Sequence, residues 1–302
     1  MNPLLDFAGL PRFNEIKPEH LTPAVDSLLA ENRALISRLV EASGAPTWKD
    51  FAQPLDDANE RLNRAWGQVG HLNAVMNSPE LREAYNANLP KLTQYYSELS
   101  TDQGLFRKFQ ALRAAPEYGS LTDEQKKVLE NELRDFRRGG AELPEAERER
   151  YRDLSEKLSS LSSRFSDNLL DATNGFAHLV QNPDEVRGIP DDILEAAREA
   201  AQANGEQGWR FTLHAPSYVP VMQYAEHRGL REVMYRAYVT RASEFGKPEW
   251  DNTALMGEIL ELRRELAKLR SRRARPRYDS FPNQKSPAFR VGSRFGLKGG
   301  RP

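Results

Sequence analysis

The longest uninterrupted pattern in the chain is an apolar repeat between Pro144 and Gly175. Its apolar residues are spaced by threes and fours, which places them on one face of an α-helix of about thirty residues. The other faces of this helix are charged. A helix of this kind must bury its apolar face against other elements, so the pattern predicts a chain built mainly from packed helices. The repeat consists of Tyr151, Leu154, Leu158, Leu161, Phe165 and Leu169.

Similar spacing and helix-end signals predict further helices along most of the sequence. Capping boxes are predicted at Thr47–Asp50 and Thr122–Gln125, and Ser78–Pro79 supplies a cap followed by proline at the first helical position. Pro90 lies inside a helical pattern and predicts a bend. The predicted helices cover Lys17–Glu41, Thr47 to Leu72, Ser78 to Tyr96, Gln103–Ala114, Thr122–Gly139, Asp191–Ala203, and the segment from Asp251 or Asn252 to Leu269.

Two short segments are predicted to be strands, Phe176–Val180 and Trp209–His214. Their apolar residues alternate with polar ones or form a short run, as is typical of strands. They could pair across the helix between them. After the second strand, Ser217 is predicted to cap a new helix with Pro220 in its first turn, and Gly229 to end or bend that helix. The predicted fold class is therefore mainly α, an elongated multi-helix domain with a small β-hairpin-like element.

The formal net charge of −1 conceals an uneven distribution of charge. Residues 270–302 hold ten Lys or Arg side chains and one acidic side chain, Asp279, so the preceding residues are strongly acidic. An acidic body repels nucleic acid, which makes nucleic acid an unlikely partner, although a basic segment can attract phosphates by itself. Residues 270–302 also lack periodicity and are rich in Pro, Gly and Arg, which predicts a basic, disordered tail.

The chain has no cysteine, which excludes disulfides and thiolate chemistry and fits a reducing compartment. Its first residues lack the features of a signal peptide, and 18 apolar residues nowhere run together. The sequence therefore predicts a cytoplasmic protein with no membrane partner.

No motif in the sequence supplies a reaction centre. A zinc hydrolase of the H-E-x-x-H type needs two histidines four residues apart, and no two of the five histidines have that spacing. The nearest approach is Gln223 to His227, QYAEH, in which an amide replaces the first histidine; Glu226 and His227 are predicted to be surface or helix-end residues. His71 is predicted to lie in the core or to form a hydrogen bond between two helices.

Four tyrosines on the segment after the second strand, Tyr218, Tyr224, Tyr235 and Tyr238, are the candidate site residues. Their hydroxyls could line a groove that contacts a peptide, or their rings could simply pack, as the helical spacing favours. From the residues alone, the chain is predicted to be a helical scaffold without a catalytic centre.

Several segments resemble the thimet-oligopeptidase family of zinc metalloendopeptidases, and its bacterial members in particular. They follow the family in order and spacing over about nine tenths of the chain, but only over the amino-terminal portion of a family member. They are Phe13 to Val25 (FNEIKPEHLTPAV), Gly70 to Tyr95, Leu161 to Thr173, Ala215 to Ser243 (APSYVPVMQYAEHRGLREVMYRAYVTRAS) and Trp250 to Leu269.

The resemblance implies that the full-length enzyme hydrolyses short peptides with a zinc-bound water, in a channel of which this helical half forms one wall. The family's zinc ligands and catalytic residues lie downstream of these segments, so no catalytic, cofactor-binding or metal residue is assigned in this chain, and it is expected to be inactive and to bind no zinc alone. The alternative is a non-catalytic helical module that binds peptides or proteins. Two partners are expected for this chain. One is the catalytic half of the family, and the other is a second copy of the chain.

The expected domains are a helical domain at 1–175, a small β element with helices at 176–269, and the non-family tail at 270–302. Because the family pattern is expected to stop after Leu269, a disrupted reading frame near Arg270 is a further hypothesis.

Overall fold

The computed structural model describes residues 2–271, in which the chain forms ten α-helices and two β-strands, joined mostly by short turns. The predicted mainly α fold with a small β element is confirmed. The helices are α1 Leu21–Glu41, α2 Gln53–Val75, α3 Pro79–Thr101, α4 Gln103–Ala114, α5 Asp123–Gly139, α6 Glu145–Asn174, α7 Asp191–Ala203, α8 Ala215–Tyr224, α9 Arg228–Val239 and α10 Thr253–Ser271, and the strands are β1 Ala177–Val180 and β2 Trp209–Thr212.

Several helices begin where the predicted caps stand. Thr122 Oγ1 accepts from the Gln125 backbone N–H at 3.3 Å, and Gln125 Oε1 accepts from the Thr122 N–H at 2.9 Å, which is the reciprocal capping box. Ser78 Oγ accepts from the Leu81 N–H at the start of α3. At the other end of α5, Gly140 adopts φ 96°, a left-handed conformation that glycine reaches without steric penalty.

The two strands pair antiparallel, with His178 opposite Phe211 and Val180 opposite Trp209. The predicted ribbon is thus present, and α7 connects its two strands, as the sequence predicts. Gly208 precedes β2 with φ 120°, and a Cβ there would collide with the carbonyl oxygen of Val180. The close approach of the two backbones therefore requires glycine at this position.

The described chain contains two compact units. The first comprises the residues up to Ser160 together with those from Arg264 onward, and the second is Leu161–Arg263. The core of the first unit is formed mainly by leucines and aromatic side chains of α1 to α5, including Tyr95 and Phe106, together with Phe51 from the turn before α2. The boundary between these units lies inside α6. The predicted domain ranges 1–175 and 176–269 have a different boundary and stay predictions.

The second unit has its own core beneath the β-ribbon. Phe211 and Met234 are fully buried in it, together with Val221 and Leu230 from α8 and α9. The core thus joins both strands to the helix pair that follows them, and this arrangement positions the tyrosines described below.

The helix pair departs from the prediction at three residues. Ser217 does not cap α8; its Oγ accepts from the Thr212 N–H at 2.9 Å, because α8 already begins at Ala215. Pro220 accordingly lies inside the helix, and Pro216 occupies the first turn. Gly229 belongs to the first turn of α9, so the break between α8 and α9 lies at residues 225–227 instead.

The predicted basic tail at 270–302 lies almost wholly outside the described residues. Only Arg270 and the backbone of Ser271 are included, and both belong to α10.

Candidate functional site

Two of the four candidate tyrosines form a stacked pair in the second unit. The rings of Tyr218 and Tyr238 lie 4.1 Å apart between centroids, with an angle of 11° between their planes. Both rings are partly buried and pack against the core of the unit. For these two residues the structure therefore agrees with packing, while leaving their outer edges accessible.

The other two candidate tyrosines are more exposed. Tyr224 at the end of α8 is 52% exposed, and Tyr235 on α9 is 54% exposed. Tyr235 lies near enough to Tyr218 to influence its ionisation. We refer to Tyr218, Tyr224, Tyr235 and Tyr238 as the tyrosine set; Tyr218 and Tyr238 are in direct contact.

The environment of Tyr218 disfavours ionisation of its hydroxyl. Burial raises the pKa of the Tyr218 hydroxyl above its ordinary value, neighbouring Tyr238 and Tyr235 raise it further, and Arg241 opposes the shift. The Tyr218 hydroxyl is therefore neutral at physiological pH and can act as a donor as well as an acceptor of hydrogen bonds.

Arg241 links the tyrosines to a neighbouring cavity. Its guanidinium lies 3.8 Å from the centre of the Tyr238 ring, a cation–π contact. Its Nε donates to the Tyr238 carbonyl and its Nη1 donates to Thr173 Oγ1, both at 3.0 Å. These contacts fix the plane of the guanidinium at the edge of the cavity.

The cavity itself has a volume of about 710 Å³ and lies wholly within Leu161–Arg263. We call it the Trp250 cavity. Its walls are the end of α6, the exposed side of α9 and the loop from Thr240 to Trp250. Among the residues that line it are Phe176, Glu232, Arg236, Arg241, Phe245, Lys247 and Trp250.

The floor of the Trp250 cavity is held by close packing at Gly175. A Cβ at Gly175 would collide with the Trp250 ring, so the indole lies directly against the end of α6. Lys247 Nζ lies 4.2 Å from the centre of the Trp250 ring. The ring is therefore in contact with both a helix end and a cation.

A buried pair of asparagines supports the loop that lines the cavity. Asn168 Nδ2 donates to Asn252 Oδ1 at 2.9 Å, and Asn252 Nδ2 donates to the Phe165 carbonyl at 3.0 Å. The Asn252 backbone N–H in turn donates to the Ala242 carbonyl at 3.0 Å. Ala242 has φ 49°, a left-handed conformation that is strained for alanine and persists only where neighbouring contacts hold it.

The histidines do not form a reaction centre. His227 caps α9, with its Nδ1 accepting from the Leu230 N–H at 3.1 Å, as expected for a helix-end residue. The prediction for His71 is wrong: its side chain is exposed, with its ring 5.2 Å from that of Phe13. Among residues 2–271, no group of three His, Cys, Asp or Glu side chains lies close enough together to hold a metal ion.

Sequence reasoning did not identify the residues of the Trp250 cavity. Arg241, Lys247 and Trp250 stand in a segment without periodicity, and Thr173 is far from them in sequence. The one available signal was the cluster of aromatic and cationic residues between Arg241 and Trp250, which is also typical of an ordinary surface loop.

The described residues form a mainly helical protein with a two-stranded ribbon and a cavity lined by aromatic and cationic side chains. Models of two protein families match the chain: the neurolysin/thimet oligopeptidase N-terminal domain over residues 25–148, and peptidase family M3 over residues 221–285. The chain is therefore similar to the amino-terminal portion of these peptidases. The M3 match ends at residue 285, whereas the matches to individual relatives cover 89% of the chain, so a stop of the family pattern after Leu269 stays a prediction.

Individual relatives show the same similarity. The chain is 48% identical over 270 residues to oligopeptidase A of Haemophilus influenzae and 45% identical over 271 residues to oligopeptidase A of Escherichia coli. It is 28% identical over 276 residues to dipeptidyl carboxypeptidase of Salmonella typhimurium. Each match covers 89% of this chain and 40% of the relative, so the chain spans well under half the length of these relatives.

Among the described helices, none is both long enough and apolar enough to cross a membrane.

Proposed function

We propose that this chain is the amino-terminal part of an oligopeptidase A-like zinc metalloendopeptidase, which in full-length form hydrolyses short peptides in the cytoplasm. The observation that carries the proposal is the 48% identity to an oligopeptidase A over 89% of this chain but only 40% of that relative. Identity at this level over so much of the chain favours a shared architecture. The absence of cysteine fits the proposed compartment.

The chain alone is proposed to be inactive towards peptides. Peptide hydrolysis by a zinc enzyme requires protein ligands that hold the ion and leave one position open for water. Residues 2–271 supply no such ligand group. What this part contributes is a helical surface that would position peptides for groups supplied elsewhere.

Inactivity can be tested on the purified chain. We expect no turnover of a fluorogenic short peptide in the presence of added zinc, with a full-length oligopeptidase A as the positive control. Turnover that a chelator abolishes would show that the chain holds a metal site of its own and would contradict this part of the proposal.

The role as the amino-terminal part can be tested with a chimera. Residues 1–269 would replace the matching portion of Haemophilus influenzae oligopeptidase A, to which this chain is 48% identical. The chimera should hydrolyse the fluorogenic peptide and lose activity on chelation, whereas the remaining portion of the relative expressed alone should not. A chimera that folds but remains inactive would count against the proposal.

The genetic context offers a separate test of the disrupted reading frame. The hypothesis places the departure from the family frame near Arg270, and the M3 match ends at residue 285. Translation of all frames downstream should reveal an H-E-x-x-H segment. If no frame encodes one, the hypothesis that the catalytic half follows this chain fails.

A second candidate function is a non-catalytic module that binds peptides or proteins through the tyrosine set. The observation that favours it is the exposure of Tyr224 and Tyr235, each more than half accessible on neighbouring helices. Rings and hydroxyls of this kind are common at binding surfaces. Peptide binding by the chain that is lost in Tyr235→Ala but kept in Tyr118→Ala would support this role, and equal loss in both variants would refute it.

A further inference from the structure

The Trp250 cavity carries an excess of positive charge on its walls. Glu232 is the one carboxylate that lines it, and it faces Arg236 at 3.5 Å. Arg241 and Lys247 also line it, and neither has a carboxylate partner among residues 2–271. Two cations thus face the cavity without a counter-charge in the described part of the chain.

Arg241 is the cation of the cavity that would gain most from a bound anion. Its side chain is partly buried, and its two hydrogen bonds go to a carbonyl and a hydroxyl, both neutral acceptors. A partly desolvated guanidinium is stabilised most by an anion, with which it forms stronger, charge-assisted hydrogen bonds. The side chain is already oriented by Tyr238 and Thr173, so an anion would bind without much loss of side-chain freedom.

Three aromatic side chains form another part of the walls, beside aliphatic side chains and glycines. Phe176 and Trp250 contribute partly buried rings, and Phe245 is 76% exposed although its side chain is wholly apolar. An apolar group that entered the cavity would remove these rings from water. The volume of about 710 Å³ lies within the range of roughly 300 to 1,000 Å³ that is usual for small-molecule sites.

The loop that carries Lys247 and Phe245 is fixed before any ligand binds. Ala242 keeps its strained conformation because the Asn252 N–H bonds to its carbonyl and because the Asn168–Asn252 pair is itself buried. Backbone strain held in this way tends to accompany binding sites. The cavity is therefore a preorganised combination of cations and aromatic rings.

We propose that the Trp250 cavity binds a small carboxylate that carries an aromatic group, with the carboxylate between Arg241 and Lys247 and the aromatic group against Phe245 and Trp250. Two sources have this chemistry: the carboxyl terminus of a short peptide that ends in an aromatic residue, and a free aromatic acid. The site is separate from the stacked tyrosines and requires no catalysis, so it stands whether or not the chain belongs to an active peptidase.

The test is calorimetric titration of the full 302-residue chain with three probes. They are N-acetyl-alanyl-phenylalanine as the free acid, the same compound as the carboxamide, and 3-phenylpropionate. The free acid should bind at least about tenfold more tightly than the amide, because the amide forms no charge-assisted contact with the two cations. Equal affinity for acid and amide, or no saturable binding of either acid, would overturn the proposal.

Variants locate the binding in the cavity. Lys247→Gln keeps most of the side chain but removes its charge, and it should weaken binding of the free acid about tenfold while leaving the amide unchanged. The control is Arg263→Gln, which removes one positive charge from an exposed position elsewhere in the same unit and should change affinity less than twofold. Unfolding temperatures would verify that both variants fold.

The two sources are distinguished by 3-phenylpropionate. Tighter binding of the peptide acid assigns the site to peptide carboxyl termini, and equal or tighter binding of 3-phenylpropionate assigns it to free aromatic acids; both results support a carboxylate site. If Lys247→Gln binds every probe as the unaltered chain does, the site lies elsewhere and the proposal is wrong.

Discussion

The side-chain amide of Asn252 connects the interior of the second unit to its binding surface. It is 2% exposed; its oxygen accepts from the buried Asn168 amide, and its Nδ2 donates to the Phe165 carbonyl. Its backbone N–H also holds the strained Ala242. One residue thus determines both a buried polar contact and the shape of the loop that lines the Trp250 cavity.

Replacement of this residue should therefore be costly. We expect Asn252→Ala to lower the free energy of unfolding by about 1–3 kcal/mol, because the buried Asn168 amide loses its partner. Urea denaturation followed by circular dichroism measures the change. The control Gln202→Ala removes an exposed amide from α7 and should change stability by less than about 0.5 kcal/mol. Similar stability of both variants would show that the amide pair is not structurally important.

Tyr95 in the first unit provides a prediction about pH. Its side chain is 1% exposed; its hydroxyl donates to Asn59 Oδ1 at 2.7 Å and accepts from Asn32 Nδ2 at 3.2 Å. Burial raises the pKa of this hydroxyl above its ordinary value, although the Asn32 bond and Arg33 act against the shift. The unfolded chain therefore loses this proton at lower pH than the folded chain does.

The sign of the effect on stability follows from linkage. The contribution of Tyr95 is fully present below the ordinary tyrosine pKa and is lost as pH rises towards the raised pKa of the folded state. Stability should thus fall above about pH 10, the ordinary tyrosine value. Urea denaturation at several alkaline pH values should show a smaller fall in Tyr95→Phe than in the unaltered chain. The exposed Tyr224→Phe should retain the full decrease, and identical curves for all three proteins would exclude a role for Tyr95.

Among the helices, α5 shows how a local signal determines a boundary. Both reciprocal bonds of its capping box are present at Thr122 and Gln125, as the sequence predicts. Thr122→Ala removes the acceptor of the Gln125 N–H and should destabilise the chain by about 1 kcal/mol, measured by thermal unfolding. Thr122→Ser keeps the hydroxyl and should retain most of the stability. If serine is as harmful as alanine, the cap does not explain the boundary.

The helix boundaries that were predicted well depend on residues close together in sequence. Caps such as Ser78 and Thr122 act over three residues, so their consequences can be read without a tertiary structure. The apolar repeat of α6 and the bounds of α4 and α7 are local in the same way.

The errors arose where a distant partner determines the conformation. Serine is a common residue at helix N-caps, but the Ser217 hydroxyl accepts a hydrogen bond from the backbone N–H of the strand residue Thr212. The break after α8 lies before Gly229, where the Glu226 N–H donates to the Arg187 carbonyl and His227 caps the next helix. His71 follows an apolar pattern in sequence yet lies on an exposed side of α2.

The Trp250 cavity was unpredictable for the same physical reason. Its guanidinium is oriented by Thr173 and Tyr238, and its floor depends on the absence of a side chain at Gly175. These residues come together only when α6 packs beside the loop after α9. By contrast, the stacking of Tyr218 and Tyr238 agrees with the packing favoured by helical spacing.

Two exposed apolar side chains lie next to each other on α9. Tyr235 and Val239 are each 54% accessible and one helical turn apart. Contact between such faces of two chains removes apolar surface from water. We expect this face of α9 to take part in self-association.

An open apolar face should make the isolated chain associate with itself. We expect the average mass from multi-angle light scattering to rise with protein concentration, and the rise to diminish in the double variant Tyr235→Glu, Val239→Glu, because charge repulsion and the cost of burying a carboxylate oppose contact. The control Glu195→Gln, Glu199→Gln alters two exposed side chains on α7 and should associate as the unaltered chain does. A mass that stays monomeric at every concentration would show that this face does not drive association, and association unaltered by the double variant would place the contact on another surface.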